Sequence, residues 1–226
     1  MKKTTLLFAL ILIFSCNKKV VELPEINHSS ITEIEDVSAA YLFYNETQPD
    51  SVELNRKNLI STTNWLVNVD KRLSLKQVIP HIKFLQEKKA KAGHKNEKAK
   101  NYFTCHDTSI NNLGFVEFTN IIYSNKNLAN LITDNLSVAS KNVIVDFNSI
   151  NNIKIYTYKE KVTINHSNIK EFTNLLNTIK NQATPILNII VAFNKNLSFQ
   201  NYITIKSKLL ELDLENIIIL KEEFIY

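Results

Sequence analysis

The side chains best suited to chemistry stand together at Cys105-His106-Asp107. A thiol beside an imidazole is the equipment of a nucleophile and its base. Neighbours along an extended strand point to opposite faces, however, so these two cannot readily hydrogen-bond each other. The pattern predicts a buried strand cysteine beside a loop rather than a catalytic pair. His28, His81, His94 and His166 are scattered without the spacing of zinc ligands. Glycine occurs only at Gly93 and Gly114, which excludes a glycine-rich phosphate loop. No catalytic residue, metal or cofactor is expected.

Two further groups invite a binding role. Lys88, Lys89, Lys91, Lys95, Lys98 and Lys100 crowd around Gly93 with His94, offset by Glu87 and Glu97. Lysines suit the end of a helix and a solvated loop. As a patch they would face lipid head groups or cell-wall carboxylates, an attraction that salt screens. The second group is a pair of turns, Asp70-Lys71 and Asn194-Lys195, at the C-terminal ends of strands. Open sheets place ligands there, although Asp and Asn also serve simply to make the turn.

These turns belong to a repeat. Trp65-Leu-Val-Asn-Val-Asp70-Lys71-Arg-Leu73-Ser74-Leu75 stands in register with Ile189-Ile-Val-Ala-Phe-Asn194-Lys195-Asn-Leu197-Ser198-Phe199 at a constant offset of 124. Each copy reads as an apolar strand, an Asx turn, a serine N-cap and a helix start. In the first copy Gln77 completes a capping box, and Leu75, Val78, Ile79, Ile82 and Leu85 form the apolar stripe. The reading is a structural duplication.

Around the repeat, the chain divides into five parts. Residues 1–15 form a leader and 16–36 a polar, proline-containing tether. The first module covers 37–125, with strands at Ala39–Tyr44, Trp65–Val69, Tyr102–Cys105 and Phe115–Tyr123 and a helix from Leu75 to Lys89. A connecting stretch, 126–141, includes a short helix from Leu128 to Asn135. The second module, 142–226, reads ββαβαβ from Val143 to Leu220, with Pro185 before the strand Leu187–Phe193. The expected fold class is α+β, built as two similar α/β-sandwich modules.

The leader sets the compartment. Lys2 and Lys3 precede an apolar run from Leu6 to Phe14, which is shorter than the roughly twenty residues of a membrane span. Its end, Ile13-Phe14-Ser15-Cys16, resembles a bacterial lipobox. That resemblance implies cleavage before Cys16 and acylation there, a permanent membrane anchor. Asn17, Lys18 and Lys19 follow, so the periplasmic face of the outer membrane is the expected location. Cleavage lowers the net charge from +5 to +3, too mild an excess to argue for nucleic acid. It leaves Cys105 as the one free thiol, so packing rather than disulfides must hold the fold.

The strand, the Asp/Asn-Lys step and the amphipathic helix closed by another strand resemble the periplasmic domain of the ExbD/TolR family. The likeness is strongest from Leu187 to Leu220, and the first region lacks that domain's first helix. The resemblance implies a membrane-anchored, non-enzymatic binding or scaffolding module that contacts peptidoglycan or a TonB/ExbD-type transport system. The family's transmembrane proton-binding Asp has no counterpart between Thr4 and Ser15, so a motor role does not follow. The alternatives are an envelope hydrolase or transferase with an unrecognised site, and a purely structural accessory lipoprotein.

Overall fold

The computed structural model describes residues 19–137, 142–158, 160–182, 187–212 and 216–226. The leader, Cys16 and Pro185 lie outside the described residues. The architecture is mixed α/β, with two six-stranded mixed sheets and four helices among those residues. None of these helices is long and apolar enough to cross a membrane.

The first sheet holds β1 (Glu25–Ile26), β2 (Val37–Tyr44), β3 (Val52–Asn55), β4 (Asn64–Val69), β5 (Asn101–Asp107) and β6 (Asn112–Glu117). Helix α1 (Leu75–Ala90) connects β4 to its parallel neighbour β5. The second sheet holds β7 (Ile122–Asn125), β8 (Asn142–Ser149), β9 (Asn152–Tyr158), β10 (Val162–Ser167), β11 (Leu187–Phe193) and β12 (Ile217–Ile225). Its helices are α2 (Leu128–Asn135), α3 (Phe172–Gln182) and α4 (Phe199–Leu210), and α4 connects β11 to its parallel neighbour β12.

The duplication extends beyond the repeated segment. In the first sheet the strands run β3-β2-β4-β5, and in the second β9-β8-β11-β12. Each set comprises an antiparallel hairpin, then two parallel neighbours joined through a helix. Between the hairpin and the third strand the second copy inserts β10 and α3, whereas the first runs directly from β3 to β4. The second module therefore has one strand more than ββαβαβ. Among the described residues strand β10 pairs only with β9, and Val162 and Ile164 are exposed on it. An edge strand of this kind carries no buried stripe for a pattern search to find.

The stretch expected as a tether differs most from its reading. From Glu22 to Ile31 it is strapped across the C-terminal ends of the first sheet. Lys71 N donates to Glu22 O at 2.8 Å, His106 N to Pro24 O at 2.9 Å and Phe115 N to Ile31 O at 3.0 Å. Strand β1 runs parallel to the end of β5, and Ser29 N donates to Asp107 Oδ2 at 2.7 Å. Gly114 makes room for this strap: a Cβ there would lie 2.7 Å from Ser29 Cβ and 3.0 Å from Ile26 Cδ1.

The strand expected over Phe115–Tyr123 is two strands. β6 pairs with β5 in the first sheet, while β7 pairs with β12 in the second. Helix α2, read as part of a connection, packs Leu131 against Ile144, Tyr156, Ile190 and Phe224 on the outer face of the second sheet.

The inner faces of both sheets share one core with α1, α3 and α4. Its centre is a run of aromatic rings. Phe118 stacks on Phe103 at 4.0 Å, and Phe103 meets Phe199 and Tyr202 of α4 edge-on. Tyr202 meets Phe193, which stacks on Phe147 at 5.2 Å. Such pairs add about 0.5–1.5 kcal/mol each beyond the area they bury. Helix α4 thus serves both sheets, which share the main core, while the second sheet carries a smaller cluster of its own under α2.

Candidate functional site: the joint and the groove beside it

The two repeated turns meet each other. Ser74 and Ser198 form an antiparallel bridge. Leu75 N donates to Leu197 O at 2.9 Å, and Phe199 N donates back to Leu73 O at 2.6 Å. Lys76 N donates to Lys195 O at 2.8 Å, and Gln200 N to Lys71 O at 3.1 Å. Each bond becomes its partner under the offset of 124, so the copies are related by a local twofold. The first N–H groups of a helix lack an intrahelical acceptor. Here each helix takes its acceptors from the other copy's turn.

The serine caps and Asx residues make this possible. Gln77 Oε1 accepts from Ser74 N at 2.8 Å and from Ser74 Oγ at 2.6 Å, and Ser198 Oγ accepts from Asn201 N at 3.2 Å. Asp70 Oδ1 accepts from Arg72 N at 3.1 Å, as Asn194 Oδ1 does from Asn196 N at 2.9 Å. The copies then diverge. Asp70 is fully buried and Arg72 grips both its oxygens, at 2.8 and 2.7 Å. Burial by itself would raise the Asp70 carboxyl, but Arg72 and the backbone N–H groups of Arg72 and Glu22 hold it below its ordinary value. Asn194 instead donates to Asn148 Oδ1 at 2.6 Å.

Beside the joint lies a groove of about 940 Å³. One wall is α1, through Leu75, Ile79, Pro80 and Phe84. The other is the β7–α2 corner, closed by Ile225 and Tyr226. Lys76, Lys83, Lys126 and Lys195 line it together with Glu87. Lys126 pairs with Asp134 at 2.6 Å, and Glu87 with Lys91 at 3.4 Å. An apolar floor under several ammonium groups suits an acidic ligand with an apolar portion. Tyr226, one of the lining residues, donates from its Oη to the buried Asp146 at 2.5 Å. Burial, then this bond, raises Tyr226, and burial raises Asp146 as well.

The sequence candidates are distributed as follows. Lys195 lines the groove. Asp70 and Asn194 make the turns, and Lys71 pairs with Glu25 at 2.9 Å. Lys88 lines a separate depression, with Glu53, Leu54, Asn55, Arg56 and Lys57. Lys91 and Lys95 are exposed. Lys89 is half-buried and folded back on the body: its ammonium donates to Thr63 O, Lys100 O and Asn101 Oδ1 at 3.2, 3.1 and 2.9 Å, over the Trp65 ring. Burial lowers it to about 8. The Cys105 thiol is fully buried, and burial raises it well above its ordinary value, while His106 meets Asn111 at 3.2 Å. Among the described residues no group of three or more His, Cys, Asp or Glu side chains could hold a metal ion.

One cluster was not legible in the sequence. Glu223, on β12, is buried between Lys206 and Tyr202 of α4; it pairs with Lys206 and accepts from Tyr202 Oη at 2.7 Å. Tyr202 Oη lies 3.1 Å from Tyr123 Oη on β7. The network ties β7, β12 and α4 together. Tyr123 comes from 79 residues before Tyr202, and Lys206 and Glu223 look like ordinary surface residues until the fold encloses them.

No protein-family model matches the chain, nor does any curated protein or solved structure.

Proposed function

We propose that this chain is a lipid-anchored, non-catalytic binding or scaffolding component of a bacterial envelope complex. In this reading Cys16 anchors it at the periplasmic face of the outer membrane, and each half is an ExbD/TolR-like periplasmic module. The groove beside the joint receives an acidic, partly apolar segment: a peptidoglycan stem or a stretch of a TonB/ExbD-type transport protein. The observation that carries the proposal is the groove itself. Its lysines come from both modules and stand over an apolar floor, so the site exists only where the two copies meet. The reciprocal bonds at the joint support a chain that pairs with itself, doing alone what two single modules would do together.

Pelleting with purified cell wall at low salt and capture from detergent-solubilised membranes test the groove. Lys83→Glu with Lys195→Glu should lower both cell-wall pelleting and recovery of envelope partners, whereas Lys95→Glu should change neither. Equal recovery by all three proteins rejects the groove as the site. Light scattering should find a monomer; a stable dimer would count against the self-paired reading.

A further inference from the structure

We infer that the edge of the first module beside β3 lies directly on the bilayer, with Lys19, Arg56, Lys57 and Lys88 facing anionic phospholipid head groups. The inference rests on the proposed anchor at Cys16. The described chain is already bound to the body at Lys19, which pairs with Glu53 on β3. Three residues on, Glu22 is tied to the turn at Asp70 and Lys71. Whatever path the intervening residues take, three peptide steps span at most about 10 Å. The head-group layer of one leaflet takes up roughly 5–8 Å of that. The reach left over cannot hold the protein away from the surface.

The surface at this point has the matching chemistry. Glu53 lines the same depression as Arg56, Lys57 and Lys88, so Lys19 sits at its rim. Glu53 is its acidic member, and it is already engaged by Lys19 and by Asn45 Nδ2 at 2.7 Å. Arg56 and Lys57 are exposed, and the Arg56 guanidinium lies 4.7 Å over the half-exposed ring of Phe84. Val20, beside Lys19, is 69% exposed, an apolar residue placed where the chain would leave the bilayer. Cations around an exposed apolar residue suit the head-group region, where the anionic surface holds the charges and the acyl boundary takes the apolar atoms. Because Phe84 also lines the groove, this orientation brings one end of the groove close to the membrane surface.

The test uses the full chain, made with its leader and returned to vesicles of phosphatidylethanolamine and phosphatidylglycerol. An environment-sensitive fluorophore is placed at Asn58→Cys, beside the depression, or at Thr163→Cys, on the outermost strand of the second sheet; Cys105 is buried and stays unlabelled. The label at 58 should be shielded from aqueous iodide several-fold more than the label at 163. Shielding should fall when Arg56→Glu, Lys57→Glu and Lys88→Glu are combined, and in vesicles of phosphatidylcholine alone. Equal quenching at the two positions overturns the docking, and shielding indifferent to lipid charge and to the three reversals overturns the head-group contact. Intact mass reports on the anchor separately. An unacylated Cys16 removes the anchor and this inference with it, whereas an acylated Cys16 with equal quenching sinks the inference and leaves the anchor standing.

Discussion

Leu75 and Phe199 begin two helices 124 residues apart, and each donates its backbone N–H to the carbonyl two residues before the other. Each helix start is therefore completed by the other copy. Neither half can lose its turn without uncovering donors in its partner, and with the shared aromatic core this makes the joint part of the global folding unit.

Hydrogen exchange should register this directly. Amides in the first turn of a helix are ordinarily among the quickest to exchange. Those of Leu75, Lys76, Phe199 and Gln200 should instead be protected to the level of global unfolding, and equally in both copies. A difference of more than about tenfold between the copies, roughly 1.4 kcal/mol, would mean that the modules open separately.

The strap should respond to a single methyl group. Gly114→Ala places a carbon 2.7 Å from Ser29 Cβ and 3.2 Å from Asp107 Cβ, atoms fixed to the backbone that cannot swing aside as the end of the Ile26 side chain can. The expected cost is about 1–3 kcal/mol. Proteolysis should then cut between Glu22 and Ile31 under conditions that leave the wild type whole. A variant with unchanged resistance would show that the strap does not depend on this space.

Lys89 gives a pH dependence of known sign. Its folded value, about 8, lies below the ordinary 10.5, so between these the unfolded chain binds more protons. Its contribution to stability therefore rises as the pH climbs from about 8 to about 10.5 and is complete above that. Urea midpoints of wild type minus Lys89→Met should increase over this interval. A flat or falling difference would show that the three acceptors and the Trp65 ring outweigh burial and keep the ammonium charged.

Cys105 should be silent in the native state. With the thiol buried and its ionisation suppressed, a disulfide reagent should modify it only as fast as the protein unfolds. Rapid modification of the folded protein would contradict its placement between β4 and β6 in the first sheet.

Much of the fold was legible because local signals agreed. The start of α1 follows from Ser74 with Gln77, residues that cap with atoms only a few positions away. Strands β4 and β11 announce themselves as apolar runs ending in an Asx-Lys step. Strand β10 and the strap were not legible. One is an edge with exposed side chains, and the other owes its order to Asp107, Gly114 and Gln200, all distant in the chain.

The candidate site divides in the same way. Lys195 and the paired turns could be singled out from a repeated string of residue types. Lys89 could not be told from its neighbours, since whether a lysine faces water or three carbonyl-type acceptors depends on how a helix docks. The groove was out of reach, because its walls come from α1, the β7–α2 corner and the end of β12.

The sequence by itself determined the duplicated strand–turn–helix unit, the helix caps and the alternation that puts Trp65, Val67 and Val69 on one face. These depend on dihedral preferences and on side chains reaching their own backbone within a few residues. Only the tertiary structure decided that the two copies would face each other, that α4 would serve both sheets and that Glu223 would be buried beside Lys206. The first two outcomes arise from apolar surface and unsatisfied backbone donors finding partners more than a hundred residues away or on another sheet. The third arises from the docking of α4 on β12, which encloses two charged groups 17 residues apart. Burial and hydrogen-bond satisfaction are properties of the assembled chain, and no local window of residues contains them.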